Sequence, residues 1–251
     1  MLARERQLFI LSRLKSHPMI SISDLCKEMN VSKSTVRRDL KLLEDQGHIV
    51  RERGGAVQVG LIETMSDLTE APVLEKVNIN SEEKKVIGKL AAAEISDGDL
   101  VFIDSGTTPL ELVPYLYNKK IKIVTNSFIL LSRLNGLDAD VYVLGGKYNK
   151  EHEVSFGPST LEQLQEFRFD KAFIGASGAD IGLGEVYTSE FEYGSIKKSV
   201  MKRSKHSYLL IDDSKFRHTG LSAFGYFEDF DSIFTNATPA DAKSHKNIIT
   251  P

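Results

Sequence analysis

The chain has 251 residues, enough for one large domain or two smaller ones that each bury a core. Its 41% hydrophobic and 27% charged residues suit a soluble globular protein, and no apolar run approaches the roughly 18 residues of a membrane span. The net charge of −3 divides unevenly: residues 1–60 hold 11 Lys/Arg against 7 Asp/Glu, and residues 61–251 hold 21 against 28. A basic head on an acidic body is the charge pattern of a nucleic-acid-binding head.

The start, MLARERQLFILSRLK, mixes charges among its apolar positions and has no small-residue cleavage site, so no signal peptide is expected. The single cysteine, Cys26, has no internal partner for a disulfide, which fits a reducing cytoplasm. It falls on an apolar helix face and reads as a core thiol.

Leu8, Ile10, Leu11 and Leu14 recur at helical spacing and predict a helix over about residues 4–16, ended by His17-Pro18. Ser21 or Ser23 can cap a second helix with Leu25, Cys26 and Met29 facing inward, and Asn30 suits the turn after it. Ser32 can cap a third helix reaching about Gln46, with Val36, Leu40 and Leu43 as its buried stripe. The opposite face offers Ser32, Lys33, Ser34, Thr35, Arg37 and Arg38. A helix N-terminus in a major groove carries such side chains to base edges, while its free N–H groups favour phosphate. Arg37 and Arg38 point about 100° apart, so one is expected to read a base and the other to hold the backbone.

Two short strands then flank Arg51-Glu52-Arg53-Gly54-Gly55, where Gly-Gly supplies the positive φ of a hairpin tip. Such a wing lays Arg51 and Arg53 on phosphate or in a minor groove. The stretch VSKSTVRRDLKLLEDQGHIVRERGGA resembles the N-terminal signature of the DeoR family of bacterial sugar-operon repressors. Val31, Ser32, Thr35, Arg37, Arg38, Asp39, Leu40, Leu43, Gly47, Arg51, Gly54, Gly55 and Ala56 carry the match; Arg53 stands where the family more often has His or Tyr.

We expect a winged helix-turn-helix over residues 1–59, a linker over 60–80 containing Pro72, and a larger body over 81–251. SEEKKVIGKLAAAEI opens the body as a helix with acids in its first turn. Strands are predicted over 100–104, 121–125, 141–145, 171–176, 207–212 and 232–235, with helices near 109–117, 127–135, 159–166 and 189–203. The fold class is therefore α/β, with a mainly parallel sheet covered on both faces.

Ligands of such sheets bind at the carboxyl ends of the strands. The first loop there is Asp104-Ser105-Gly106-Thr107-Thr108-Pro109, where Thr108 and Glu111 suggest a capping box and Ser-Gly-Thr can cradle a phosphate. The others are Thr125-Asn126-Ser127, Gly145-Gly146-Lys147, Gly175-Ala176-Ser177-Gly178-Ala179-Asp180 and Asp212-Asp213-Ser214-Lys215-Phe216. Each alone also fits a plain turn. Five on one rim point to a polar pocket.

DSGTT, TNS, LGG, DKAFIGASG and DDSKF stand in the order of the same family's effector domain, over roughly residues 76–236. That domain is similar to ribose-5-phosphate isomerase, and the tail after Asn236 is shorter than the family usually carries. The resemblance implies a phosphorylated sugar as effector, with Thr107, Thr108 and Lys215 for its phosphate and Asp104, Asn126 and Asp180 for its hydroxyls. Lys197 has two readings, a pocket group or a solvated helix charge. Expected partners are double-stranded operator DNA, the sugar phosphate and further copies of the chain as a dimer or tetramer, with no cofactor.

The rival reading is a sugar-phosphate isomerase with a DNA-binding head. Glu190, Glu192 and Asp180 are candidate bases, but that enzyme's Lys-Gly-Gly-Gly stretch and any P-loop are absent from the sequence. Among the six histidines only Glu151-His152-Glu153 has acids close by, and it reads as a solvated loop.

Overall fold

The computed structural model describes residues 3–16, 19–45, 49–52, 55–58, 72–239 and 245–251. The chain divides into two compact units, Met1–Ser66 and Asp67–Pro251.

The smaller unit holds helices α1 (Ala3–Ser16), α2 (Ile22–Met29) and α3 (Lys33–Asp45), with strands β1 (Met19–Ser21), β2 (Ile49–Glu52) and β3 (Gly55–Gln58). Local chemistry sets the helix ends. The Ser21 hydroxyl accepts the Asp24 N–H at 3.1 Å, and the Ser32 hydroxyl accepts the Thr35 N–H at 3.2 Å, each satisfying an orphan donor of a first turn. Between them Asn30 takes the left-handed conformation (φ 53°), which turns the chain from α2 into α3. Ile10, Leu25, Met29, Val36, Leu40 and Leu43 form the core, with Cys26 packed at its edge. The wing sheet is antiparallel in the order β1-β3-β2, so Met19–Ser21 adds a strand that alternation alone did not predict.

The larger unit opens with α4 (Val73–Lys76) and α5 (Ser81–Ala92). Its sheet strands are β4 (Leu100–Ile103), β5 (Ile121–Thr125), β6 (Ala139–Val143), β9 (Phe169–Gly175), β12 (Ser204–Leu210), β14 (Ser232–Phe234) and β15 (Ile248–Ile249). They make one parallel seven-stranded sheet in the order β15-β14-β12-β9-β4-β5-β6. The edge strand β15 is two residues long.

Alternation along each strand divides the core between two faces. Val101, Ile103, Phe173 and Leu210 pack with Ile87 and Ala91 of α5 and with Leu112 and Val113. Phe102, Ala172, Ile174 and Leu209 pack on the other side with Leu164, Ile196 and Val200. The latter belong to helices α7 (Pro158–Leu164) and α8 (Phe191–Lys202). That face also carries a small antiparallel sheet of β10 (Gly178–Asp180), β11 (Glu185–Thr188) and β13 (Ser222–Tyr226), absent from the sequence reading. β7 (Lys147–Asn149) and β8 (Val154–Phe156) pair as a separate antiparallel hairpin.

The helices predicted near 109–117 and 127–135 are shorter than expected. The first is a 3-10 helix over Pro109–Tyr115, with Pro114, which has no N–H to donate, inside it. The second is a single turn, α6 (Phe128–Leu131).

Candidate functional site

Ser32, just before α3, and Lys33, Ser34, Arg37 and Arg38 on it are exposed, Thr35 is half-buried, and Val36, Asp39, Leu40 and Leu43 are buried. The helix therefore has one polar, basic face. At its start the hydroxyls of Ser34 and Thr35 lie 2.8 and 2.9 Å from that of Ser32. The rotation of α3 is fixed from behind. Arg6 of α1 donates to both carboxylate oxygens of buried Asp39, from Nε at 2.6 Å and from Nη2 at 3.1 Å. This pairing raises the Arg6 pKa through the hydrogen bonds to Asp39. A second bidentate pair, Arg13 with Glu28 at 2.9 and 2.8 Å, ties α1 to α2. Arg51 stands in β2 opposite Ala56, and Gly55 begins β3 opposite Glu52. Arg53 and Gly54, with the predicted hairpin tip, lie outside the described residues.

In the larger unit the sheet order reverses between β4 and β9. The chain runs outward from β4 through β5 to β6, then returns to β9 and runs the other way. A crevice at the carboxyl ends is expected at that switch point. Asp104 follows β4 there and Gly175 ends β9. The Gly175 N–H donates to Asp104 Oδ2 at 3.0 Å. Lys197, reaching over from α8, donates to the same oxygen and to the Gly175 carbonyl at 3.0 Å. It is buried and lies 5.5 Å from the centroid of the Phe224 ring. The solvated reading of Lys197 is thus replaced by a buried ion pair. It was legible in hindsight: Tyr193, Ile196, Lys197 and Val200 lie on one buried stripe of α8.

The neighbouring loop departs from its expected capping box. Thr108 has helical backbone angles (φ −73°, ψ −49°) and no side-chain cap bond, because a cap requires an extended residue. Glu111 instead accepts from Arg133 Nη1 at 2.7 Å. Thr107 and Thr108 are buried, while Ser105 and Gly106 are half-buried. A Cβ on Gly106 or Gly175 would stand 3.2 or 3.3 Å from the Pro109 ring, so small residues keep this corner tight.

Several rim residues are committed to the fold itself. The Thr125 hydroxyl donates to the Ile103 carbonyl at 2.7 Å, and Ser127 caps α6 by accepting the Leu130 N–H at 3.3 Å. The Gly145 carbonyl accepts from the Thr160 hydroxyl at 2.7 Å. Gly146, at φ 148°, has Thr160 Oγ1 only 2.2 Å from where a Cβ would sit, so its smallness serves packing rather than an approaching ligand. The Ser177 hydroxyl donates to the Tyr187 carbonyl at 3.1 Å, and Asp180 Oδ1 accepts the Leu183 N–H at 2.9 Å in the β10–β11 turn.

Among the described residues, two buried side-chain oxygens have no partner: Asn126 Oδ1 and Asp212 Oδ2. Asn126 spends its amide on the Ser155 carbonyl at 2.9 Å. Asp212 spends Oδ1 on the Asn80 amide at 3.0 Å, the Ser214 N–H at 3.2 Å and the Ser214 hydroxyl. A buried unpaired acceptor is costly unless a donor arrives.

Lys84 was not singled out by the sequence reading. It is buried on the stripe of α5 that also carries Ile87, Gly88 and Ala91, and its ammonium donates to the Lys76 carbonyl at 2.7 Å. Burial pushes its pKa down to about 8, Asp212 pulling upward and Lys215 and Lys76 further down. A lysine on an otherwise apolar stripe was the available signal. Among the described residues no group of three His, Cys, Asp or Glu can hold a metal ion, and His152 packs against the Tyr193 ring at 5.9 Å. No helix of the described residues is long and apolar enough to cross a membrane.

Residues 6–60 match the DeoR-like helix-turn-helix domain and residues 79–237 the DeoR C terminal sensor domain. The chain is 33% identical over 245 residues to the HTH-type transcriptional repressor GlcR of Bacillus subtilis (strain 168), covering 96% of this chain and 92% of that protein. It is 30% identical over 234 residues to the Glycerol-3-phosphate regulon repressor of Escherichia coli (strain K12), covering 92% and 89%. A ribose 5-phosphate isomerase from Methanocaldococcus jannaschii aligns over 54% of each chain at 18% identity with a TM-score of 0.41, too distant to transfer a function. With both of its domains matched and relatives aligned over nearly its whole length, this chain belongs to the DeoR family of transcriptional regulators.

Proposed function

We propose that the protein is a cytoplasmic repressor of a carbohydrate-utilisation operon whose operator affinity is set by a phosphorylated sugar. The head places Ser32, Lys33, Ser34, Thr35, Arg37 and Arg38 in a major groove, with Arg51, Arg53, Gly54 and Gly55 on the flanking backbone. The effector binds the carboxyl rim of the larger unit. The observation that carries this is a buried cation, Lys84, whose charge is felt by Asp212 and Lys215, together with Asp212 Oδ2, a buried acceptor without a donor among the described residues. A sugar phosphate supplies what both lack, anionic oxygens for the lysines and hydroxyl donors for Asp212 Oδ2 and Asn126 Oδ1. Thr107 and Thr108 add hydroxyls at the switch point. Asp104 and Lys197 hold the floor of the crevice as a pair, and Asp180 is tied into its own turn.

This reading is of a regulator without turnover. Of the carboxylates considered as isomerase bases, Glu190 and Glu192 are exposed and Asp180 is bound to a backbone N–H. Two relatives act on related chemistry by name, one repressing a glycerol-3-phosphate regulon and one a lactose phosphotransferase system. Thermal shift of the purified protein with phosphorylated and free sugars tests the effector class, since a ligand bound only to the folded state raises Tm with concentration. Stabilisation by phosphorylated compounds, lost in Lys84→Met, is the expected result. Stabilisation by free sugars alone contradicts it.

A further inference from the structure

We propose that α4 and the turn after it, residues 73–80, form the latch through which occupancy of the carboxyl rim reaches the head. The identity of the occupant rests on the function proposed above; the latch itself does not. The chain leaving the smaller unit enters the larger one by this route, since the units divide between Ser66 and Asp67 and α4 begins at Val73. A change in how the segment is held is therefore a change in how the head is tethered.

The segment cannot hold its own position. A helix of four residues is far below the length at which a helix persists unaided. Leu74 and Ile79 are 62 and 55% exposed, so its apolar anchorage is buried Val73, with Val77 half-buried against the core. Hydrogen bonds at three points place it instead. The Val73 N–H donates to the Glu151 carbonyl at 2.9 Å, between β7 and β8. The Lys76 carbonyl accepts from the buried Lys84 ammonium at 2.7 Å. The Asn80 amide donates to Asp212 Oδ1 at 3.0 Å and to the Ser214 hydroxyl at 3.3 Å. Asn80 takes the left-handed conformation (φ 51°), which turns the chain into α5.

Two of those ties end on the groups offered to the effector. An ammonium has three N–H donors, and Lys84 gives one to the Lys76 carbonyl, which leaves donors for anionic oxygens. Asp212 holds Asn80 with Oδ1 and presents Oδ2, which has no donor among the described residues. An anion and a hydroxyl arriving there add to both ties and displace neither. The anion keeps the ammonium charged and in place, and a charged donor bonds a carbonyl about twice as strongly as a neutral one. Occupancy thus tightens the segment at Lys76 and at Asn80 together, and an empty rim leaves it looser. The ligand then has different affinities for two states of one element, which is what coupling requires.

Amide exchange and operator binding of the full chain test this with no ligand added. Asn80→Gly tolerates the left-handed backbone and removes only the side-chain ties to Asp212 and Ser214. The N–H groups of Val77 and Ile79 bond to the Val73 and Lys76 carbonyls. Their exchange is expected to quicken about 10-fold or more, with the interior of α5 unchanged. Affinity for an operator fragment selected from genomic DNA is expected to change about 5-fold or more. Arg203→Met is the control. It removes bonds to the Phe167 carbonyl and to Gln165, near the amino ends of β9 and β12, so it costs stability without touching the segment. Its operator affinity is expected to match the wild type. Should Asn80→Gly fail to fold, Lys84→Met, which cuts the other tie, replaces it with the same expectations. Unchanged exchange at Val77 and Ile79, or quickened exchange with wild-type operator affinity, overturns the proposal. So does an equal change of affinity in Arg203→Met. A panel in which no phosphorylated sugar raises Tm strikes the effector reading instead, and these ligand-free measurements still decide the latch.

Discussion

Lys197 and Asp104, 93 residues apart in sequence, form a buried ion pair at the point where the sheet order reverses. Their side chains are 8 and 3% exposed, and both also bond the backbone of Gly175. The pair joins α8, β4 and β9 in one place. Breaking a buried pair from one side strands a charge, at a cost of roughly 3–5 kcal/mol, whereas replacing both partners by apolar groups costs far less. Asp104→Ala is therefore expected to be strongly destabilised in urea, and Asp104→Leu/Lys197→Met to recover much of the loss. Additive effects in that double variant would show that the two groups are not coupled.

Lys84 predicts a pH signature. Its folded pKa is lowered to about 8 from an unfolded value of 10.5. Between those values the unfolded chain binds more protons than the folded one, so stability attributable to this group rises as pH rises through the window. Below pH 8 both states are protonated and the penalty for burying the ammonium is fully present. Comparing the wild type with Lys84→Met cancels the other titrations. Wild-type stability relative to Lys84→Met should rise between pH 8 and 10.5; a difference independent of pH would contradict the assignment. An anion bound beside the ammonium raises its pKa again, so effector binding near pH 8 is expected to take up protons in calorimetry across buffers of different ionisation enthalpy.

Gly88 gives a packing prediction. A Cβ there would lie 2.3 Å from the Glu111 carbonyl oxygen, a backbone atom of the 3-10 helix. Gly88→Ala must push α5 away from that helix, at a cost of about 1–3 kcal/mol for overpacking. Because Lys84 is one turn earlier on the same stripe, effector response should weaken as well. A variant as stable as the wild type would mean that the two elements separate freely.

These residues mark how far the sequence is readable. Ser21, Asn30 and Ser32 determine local geometry through their own hydrogen bonds and conformations, so the helix-turn-helix follows from spacing alone. Parallel strands such as Ile121–Thr125 stand out as apolar runs. The capping box does not form because Thr108 takes helical rather than extended backbone angles, and Glu111 pairs instead with Arg133, 22 residues away. Lys84 escaped notice because a basic residue near a helix start reads as solvated until its place on the buried stripe is weighed. The β10-β11-β13 sheet escaped because its strands are short and one partner comes from beyond α8 and β12.

On α3, Arg37→Ala or Arg38→Ala should cost roughly 1–3 kcal/mol of operator affinity where the arginine reads a guanine, and lower the salt slope by about 1 where it holds phosphate. Asp39→Ala should act differently. It removes a partner of Arg6 behind the helix, so Tm should fall together with affinity for every sequence. Loss of affinity in Asp39→Ala with an unchanged Tm would instead place Asp39 at the DNA.

The central claim is that a phosphorylated sugar sets the affinity of the head for its operator. Its most direct test is fluorescence anisotropy on an operator fragment selected from genomic DNA by the purified protein, titrated with and without matched phosphorylated and free sugars. The account predicts that one phosphorylated sugar changes the affinity by about 5–150-fold, that its free counterpart does not, and that Lys84→Met abolishes the response. Equal affinity across the panel, or a response to free sugar alone, would contradict it.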